Sequence, residues 1–251
     1  MFLGKKPARE GAIKFRFARY FDKVALPTPP KVFGHYARVH NQWGMLANDQ
    51  CGDCVWAGAA HETMLWVMTN RKDVTFDDKS VLSDYSAQTG FDPADPINTD
   101  NGTDMQEAAS YRRKIGIVDA NGVRHKVDAY AAIEPGDIET LMLSTYLFGA
   151  AGVGIRFPIS AEAQFDAGQP WDVVTGSRID GGHYVPVVGR NSAGHILCVT
   201  WGRLHAMTPA FFNAYCDEAV AYIGTDWLNN NLISPRGYDL DALRRDLAAI
   251  T

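Results

Sequence analysis

The sequence has few cysteines for its length: Cys51, Cys54, Cys198 and Cys216 in 251 residues. That density excludes a disulfide-stapled scaffold, and free thiols are the expectation. There is no apolar run near the ~18 residues that a membrane-spanning helix requires, so no membrane partner is expected. There is no excess of positive charge either. The net charge is −5, which gives no basis for nucleic acid as a partner. The opening MFLGKKPAREGAIKFRFARYF has basic residues but no continuous apolar core after them, so it does not read as a secretory signal. The expected setting is cytoplasmic, or virion-associated if the chain serves in an assembly. Repeats and low-complexity tracts are missing too. What is left is an ordinary globular balance, 46% hydrophobic and 21% charged. The length suits one large domain or two lobes around a substantial core.

Residues 1–47 read as an extension. Its LPTPPKVFGH stretch should run extended, as an arm able to tie the chain to other subunits. A strongly apolar run predicts a buried helix from about Cys54 to Thr69. Thr103, three before Gln106, has capping-box spacing ahead of a second helix closed by Gly116. Asn121-Gly122 predicts a hairpin. The acidic loop from Asp92 to Asp104 lacks calcium-loop spacing and is expected to be solvated. Beyond residue 120 the character changes. Helix DIETLMLSTYLFG precedes strands AGVGIRFP, HYVPVVGR and HILCVTWG. Thr208-Pro209 opens a further helix. The expected division is a helical lobe over 48–119, a β-rich lobe over 120–235 and a C-terminal helix over 236–251, all within one domain.

Chemistry concentrates in NDQCGDCVWAGAAHETMLW, residues 48–66. A cysteine in the first turn of a helix meets unpaired N–H groups and the positive end of the dipole, which favour thiolate. Cys54 is therefore the candidate nucleophile, with Asp53 at the cap position. His183, preceded by Gly181 and Gly182 and followed by an apolar strand, is the candidate base. It lies 129 residues after Cys54. Zinc held by Cys51 and Cys54 would need two more ligands, and no second close pair exists. A thioredoxin-type couple would need a βαβ setting that is not apparent. No metal and no cofactor is expected. His61 reads as a hydrogen-bonded core histidine, and His195 and His205 as surface residues.

CGDCVWA resembles the nucleophile segment of papain-like cysteine peptidases, Cys-Gly-Ser-Cys-Trp-Ala. GGHYVPVVGR…HILCVTWG resembles the stretch in which their catalytic His begins a strand and an Asn-Ser-Trp-Gly motif ends the next. Order and spacing agree from about residue 40 to 205. The resemblance implies an α+β fold of two lobes, a helical one carrying Cys54 and an antiparallel β-barrel-like one carrying His183. It implies an oxyanion donor six residues before the nucleophile, which here is Asn48, with Gln50 and Gln42 as rivals. Gln50, Gly52, Asp53, Gly182, Thr200 and Trp201 are expected to line the site.

The departures from the family are specific. Its orienting Asn falls on Val199, which accepts no hydrogen bond. Thr200, one further along a strand, should face the other way, so a Cys54–His183 dyad is expected. Cys51 matches a cysteine that the family pairs in a disulfide, with no obvious partner here. Only 47 residues precede Asn48, so the family's long inhibitory prodomain is expected to be absent. The leading expectation is a hydrolase that cleaves a peptide or protein amide. The rivals are a catalytically weak structural or binding protein, such as a phage virion surface component, and a peptidoglycan amidase or endopeptidase.

Overall fold

A computed structural model describes residues 1–19, 27–70 and 72–227. The C-terminal helix expected over 236–251 lies outside the described residues.

The first long element is α1 (Cys54–Thr69), following the short strand β1 (Phe33–Gly34). Every residue of α1 from Cys54 to Val67 is buried, as its all-round apolar surface requires. The chain continues through α2 (Asp78–Thr89), α3 (Pro96–Thr99) and α4 (Met105–Lys114), of which α2 and α4 pack against α1. The α2 helix starts on a reciprocal cap. Asp77 accepts from the Ser80 N–H at 2.7 Å while the Ser80 hydroxyl accepts from the Asp77 N–H at 3.1 Å. The α4 cap is Asp104, which accepts from the Glu107 N–H at 3.0 Å. Thr103 is not the cap, because its hydroxyl accepts the Trp56 indole N–H at 3.0 Å instead. The predicted Asn121-Gly122 hairpin joins β2 (Ile117–Val118) to β3 (Arg124–His125).

The remaining elements are β4 (Val127–Ile133), α5 (Ile138–Phe148), β5 (Ala151–Pro158), α6 (Ile159–Asp166), β6 (Ile179–Arg190), β7 (Ile196–Thr200), β8 (Arg203–Met207), α7 (Pro209–Tyr215) and β9 (Cys216–Gly224). Six of these strands pair in the order β4-β9-β5-β6-β7-β8, and β1 adds to β6, giving one antiparallel sheet. Along β4 every second residue is buried, the period-2 pattern of a strand with one covered face.

The α1 helix packs on β6, and this contact sets the nucleophile helix against the histidine strand. A buried polar network fastens the contact. Glu62 of α1 pairs with Arg112 of α4 at 2.6 Å. It also accepts the Tyr184 hydroxyl of β6 at 2.6 Å. The Arg112 guanidinium lies 4.1 Å from the Tyr222 ring centroid and 5.7 Å from that of Trp66. Burial alone would lower the proton affinity of Arg112, and the Glu62 carboxylate beside it outweighs that and raises it.

Candidate active site

Cys54 is the first residue of α1, and Asp53 precedes it without making a side-chain cap bond. Asp53 is fully buried, and that burial pushes its carboxyl well above the usual carboxylate range, with the Asn48 amide offsetting only part of it. Cys54 is also buried. Its thiol lies against the backbone of Tyr184 and Gly4, and desolvation pushes it up to about 12. This corrects the expectation of a thiol lowered by the helix end. A helix N-terminus contributes about 0.3–1 kcal/mol at such a position. Withdrawing a thiolate from water costs several kcal/mol and dominates.

His183 stands in β6 opposite Ile155 and is 1% exposed. Its Nε2 lies 2.8 Å from the Thr200 hydroxyl. Its Nδ1 is buried without a hydrogen-bond partner. The ring stacks on Trp201, centroids 4.5 Å apart and planes at 19°, and meets Phe157 edge-on at 5.5 Å. Burial holds its pKa down at about 3. Asn48, Cys54, His61, His183, Thr200 and Trp201 line one small cavity with about 10 Å³ of free space. That is the lower limit for a single water.

The imidazole therefore has an orienting partner, and the expectation that Thr200 faces away is corrected. The β6–β7 register runs Arg190↔Ile196, Gly189↔Leu197 and Val187↔Cys198, with a bulge between Val187 and Gly189. A bulge shifts which face the following residues present, and Val199 and Thr200 lie past the end of that ladder. Trp201 and Gly202 then turn the chain into β8 with φ of 43° and 73°. Positive φ at both central residues is what a two-residue type I′ hairpin demands. Trp201 carries the strain of that conformation while its ring covers the histidine.

The other expected site residues divide. Asn48 is buried at the cavity, and its side-chain N–H groups reach Phe2 O at 3.3 Å and Cys51 O at 3.2 Å. Gln50 points elsewhere: it is exposed and donates to Asp78 at 3.1 Å, and Gln42 is exposed as well. Neither reaches the cavity. The Gly52 N–H donates to Asp100 at 2.8 Å, and Asp100 accepts the Tyr85 hydroxyl at 2.5 Å. The acidic loop is thus not simply solvated, since its Asp100 pins the turn before the nucleophile. His61 is buried on the Trp43 and Gly44 carbonyls, at 3.0 and 3.1 Å. His205 is buried against Trp171 and Phe165, not on the surface. Cys51 is a free, buried thiol. Among the described residues no group of three His, Cys, Asp or Glu is placed to hold a metal. No helix among them is long and apolar enough to cross a membrane.

Sequence reasoning missed what covers the site. Residues 2–6 run across it. The Phe2 N–H donates to Asn48 O at 3.2 Å, the Thr103 N–H to Gly4 O at 2.7 Å, the Lys5 N–H to Gly182 O at 2.9 Å, and the Lys6 N–H to Thr103 O at 2.9 Å. Lys5 and Thr103 form a parallel bridge. Gly4 is packed so tightly that a Cβ there would lie 1.6 Å from Gly52 O. Only glycine passes at this point, directly over the thiol. Five residues cover the site. The one sequence signal available was Gly4 itself, which has no obvious reason to stand in an extended arm.

No protein-family model matches the sequence, and no curated protein does. Solved structures do match. Xylellain, a cysteine protease from Xylella fastidiosa, is 14% identical with a TM-score of 0.63, over 88% of this chain and 95% of that one. Procathepsin B S9 from Trypanosoma congolense is 14% identical with a TM-score of 0.63, over 89% and 86%. Digestive procathepsin L 3 from the larval midgut of Tenebrio molitor is 15% identical with a TM-score of 0.58, over 81% and 72%. The fold is that of the papain-like cysteine proteases. At these identities the likeness carries the fold alone.

Proposed function

We propose that the chain is a papain-like cysteine hydrolase that cleaves an amide bond in a peptide or protein. One observation carries this reading. His183 is held at Nε2 by Thr200 and presents an unpartnered Nδ1 in the cavity it shares with Cys54. For Nδ1 to accept the thiol proton, Nε2 must carry a hydrogen and donate it to the Thr200 oxygen. In the reaction the Cys54 thiol gives its proton to Nδ1, and sulfur attacks the carbonyl carbon. The resulting oxyanion is stabilised by the Cys54 N–H and by the Asn48 amide N–H that is freed from Phe2 O when residues 2–6 lift away. His183 then returns the proton to the leaving amine, and water hydrolyses the thioester.

In the closed arrangement the site rests as neutral thiol and neutral imidazole, because burial disfavours both ions. Lifting residues 2–6 admits water and lets the thiolate–imidazolium pair form.

The second reading is a binding module that keeps the fold without the chemistry. The complete burial of both Cys54 and His183 favours it.

The test is the alkylation rate of Cys54 against pH, measured by mass spectrometry in the full chain carrying Gly4→Ala, with and without His183→Ala. Fast reaction near pH 6 that is lost without His183 supports the hydrolase. Ordinary thiol behaviour in both chains rejects it in favour of the binding module.

A further inference from the structure

Resting on the hydrolase reading above, we infer that Asp217, Glu218 and Gly154 form a pocket on the cleft for a lysine or arginine side chain of the substrate. Lys5 fills that pocket in this structure. Its side chain is wholly buried, with the ammonium 2.9 Å from Asp217 Oδ2, 3.1 Å from Glu218 Oε1 and 2.9 Å from Lys6 O. The stem crosses Gly154, where an added Cβ would lie 2.1 Å from Lys5 Cε. Any larger residue at 154 closes the slot.

The pocket belongs to the cleft by its framework. Gly154 pairs with Tyr184, the neighbour of His183, on one side and with Glu218 on the other. The Lys5 backbone is held by Gly182, the other neighbour of His183. Gly4 lies over the Cys54 thiol, so the pocket receives the side chain one residue from the position facing the nucleophile.

The chemistry selects a cation. Two carboxylates share the pocket, and the arginines beside it are committed elsewhere, Arg9 to Asp104 through both Nε and Nη2 and Arg16 to Glu134. When Lys5 leaves, a neutral side chain entering would leave both acids uncompensated in a partly desolvated place. Asp217 Oδ1 is buried with no hydrogen-bond partner. Lys5 does not use this acceptor, and the fork of a guanidinium has donors for it. The acids also border a cavity of about 390 Å³ that reaches Arg9, Ile13 and Val220, with room for the longer side chain.

Two measurements on the full chain test this. The first is Cys54 alkylation at pH 8 across Lys5→Arg, Lys5→Met and Lys5→Ala, with folding followed by circular dichroism. Arginine should keep the native protection. Methionine and alanine should raise the rate about tenfold or more, the scale of a buried charge-assisted pair. Equal rates in all four folded chains would overturn the pocket.

The second uses the folded double variant Cys54→Ala, Lys5→Ala. Fluorescein-labelled alanine hexapeptides carry one Lys, Arg, norleucine or Glu at each position in turn. Lys and Arg peptides of one register should bind at least tenfold tighter than norleucine. Adding Asp217→Asn and Glu218→Gln should bring them level. Parity before those changes, or no binding of any peptide, overturns the pocket. If the selected peptides bind but are not cut by Lys5→Ala with Cys54 restored, the hydrolase reading fails while the pocket stands.

Discussion

The imidazole of His183 hangs from a hydroxyl. Its Nε2 lies 2.8 Å from Thr200 Oγ1, where the family resemblance leads one to look for an amide two residues before Trp201. A hydroxyl is a shorter arm than an asparagine amide and offers no extended dipole to the imidazolium. It can still fix the ring and the tautomer, provided Thr200 accepts from Nε2–H. Thr200→Val keeps the shape and removes the acceptor. It leaves a buried N–H unsatisfied at a cost of about 1–3 kcal/mol. In a chain opened by Gly4→Ala, Cys54 alkylation near pH 6 should fall about tenfold or more, and Thr200→Ser should restore most of it. An unchanged rate in Thr200→Val would show that the ring is positioned by its stacking on Trp201 alone.

The pH dependence of stability follows from the buried bases. His183 is held near 3, and His61 and His205 near 4, each mainly by desolvation and each against an ordinary value of 6.5. Between about pH 6.5 and 4 the unfolded chain binds protons at these sites that the folded chain does not, so stability falls as pH falls. Each histidine contributes a slope of up to about 1.4 kcal/mol per pH unit. His125, lowered by burial but raised overall by Asp226 and Asp119, acts in the opposite sense. At the alkaline end Cys54 and Cys216, both pushed up to about 12, are lost as stabilisers once the unfolded thiols ionise above about pH 9. Urea unfolding should therefore give a plateau near pH 7–8 with losses on both sides. His183→Gln should flatten the acid limb measurably. An acid limb identical in that variant would mean the buried imidazole is already hydrated.

Much of this arrangement could be read from the residues. The Cys54–Thr69 helix, the 151–158 strand, the Thr208 cap and the Asn121-Gly122 hairpin carry local signals, and each has the structure its signal implies. That the helix of Cys54 lies against the strand of His183 was implied by the family resemblance of the segments around those two residues. What stayed hidden depends on register or on distance. Nothing local to Thr200 announces the bulge in β6 that turns it toward His183. Nothing local to Lys5 announces Asp217, 212 positions away. The α2 helix went unread because its start rests on a side-chain exchange between Asp77 and Ser80 in a stretch without strong apolar periodicity.

The covering segment should open with a single methyl group. At Gly4 a Cβ would fall 1.6 Å from Gly52 O, a backbone atom itself fixed by the hydrogen bond from Gly52 N–H to Asp100. Neither side can yield cheaply, so Gly4→Ala should displace residues 2–6 without disturbing the core behind them. Iodoacetamide at pH 8 should then modify Cys54 more than tenfold faster than in the native chain, while Cys198, buried in β7, stays inert. Equal Cys54 rates in the two chains would mean that the segment already leaves the cleft on the timescale of the reagent.

The Glu62–Arg112 pair sets how far the protein tolerates change behind the site. The two charges are 2.6 Å apart and almost wholly buried, with Tyr184 donating to Glu62 and the Tyr222 ring under Arg112. Removing one partner strands the other charge, so Glu62→Ala or Arg112→Ala should each cost about 3–5 kcal/mol in urea unfolding. Removing both at once, with Glu62→Leu and Arg112→Met, exchanges desolvated charge for packing and should cost far less than the sum of the single changes. Because Tyr184 neighbours His183, the double variant should also lose some precision at the site, read as slower Cys54 alkylation in the opened chain. Additive single and double losses would show instead that the pair is hydrated and contributes no more than a surface bridge.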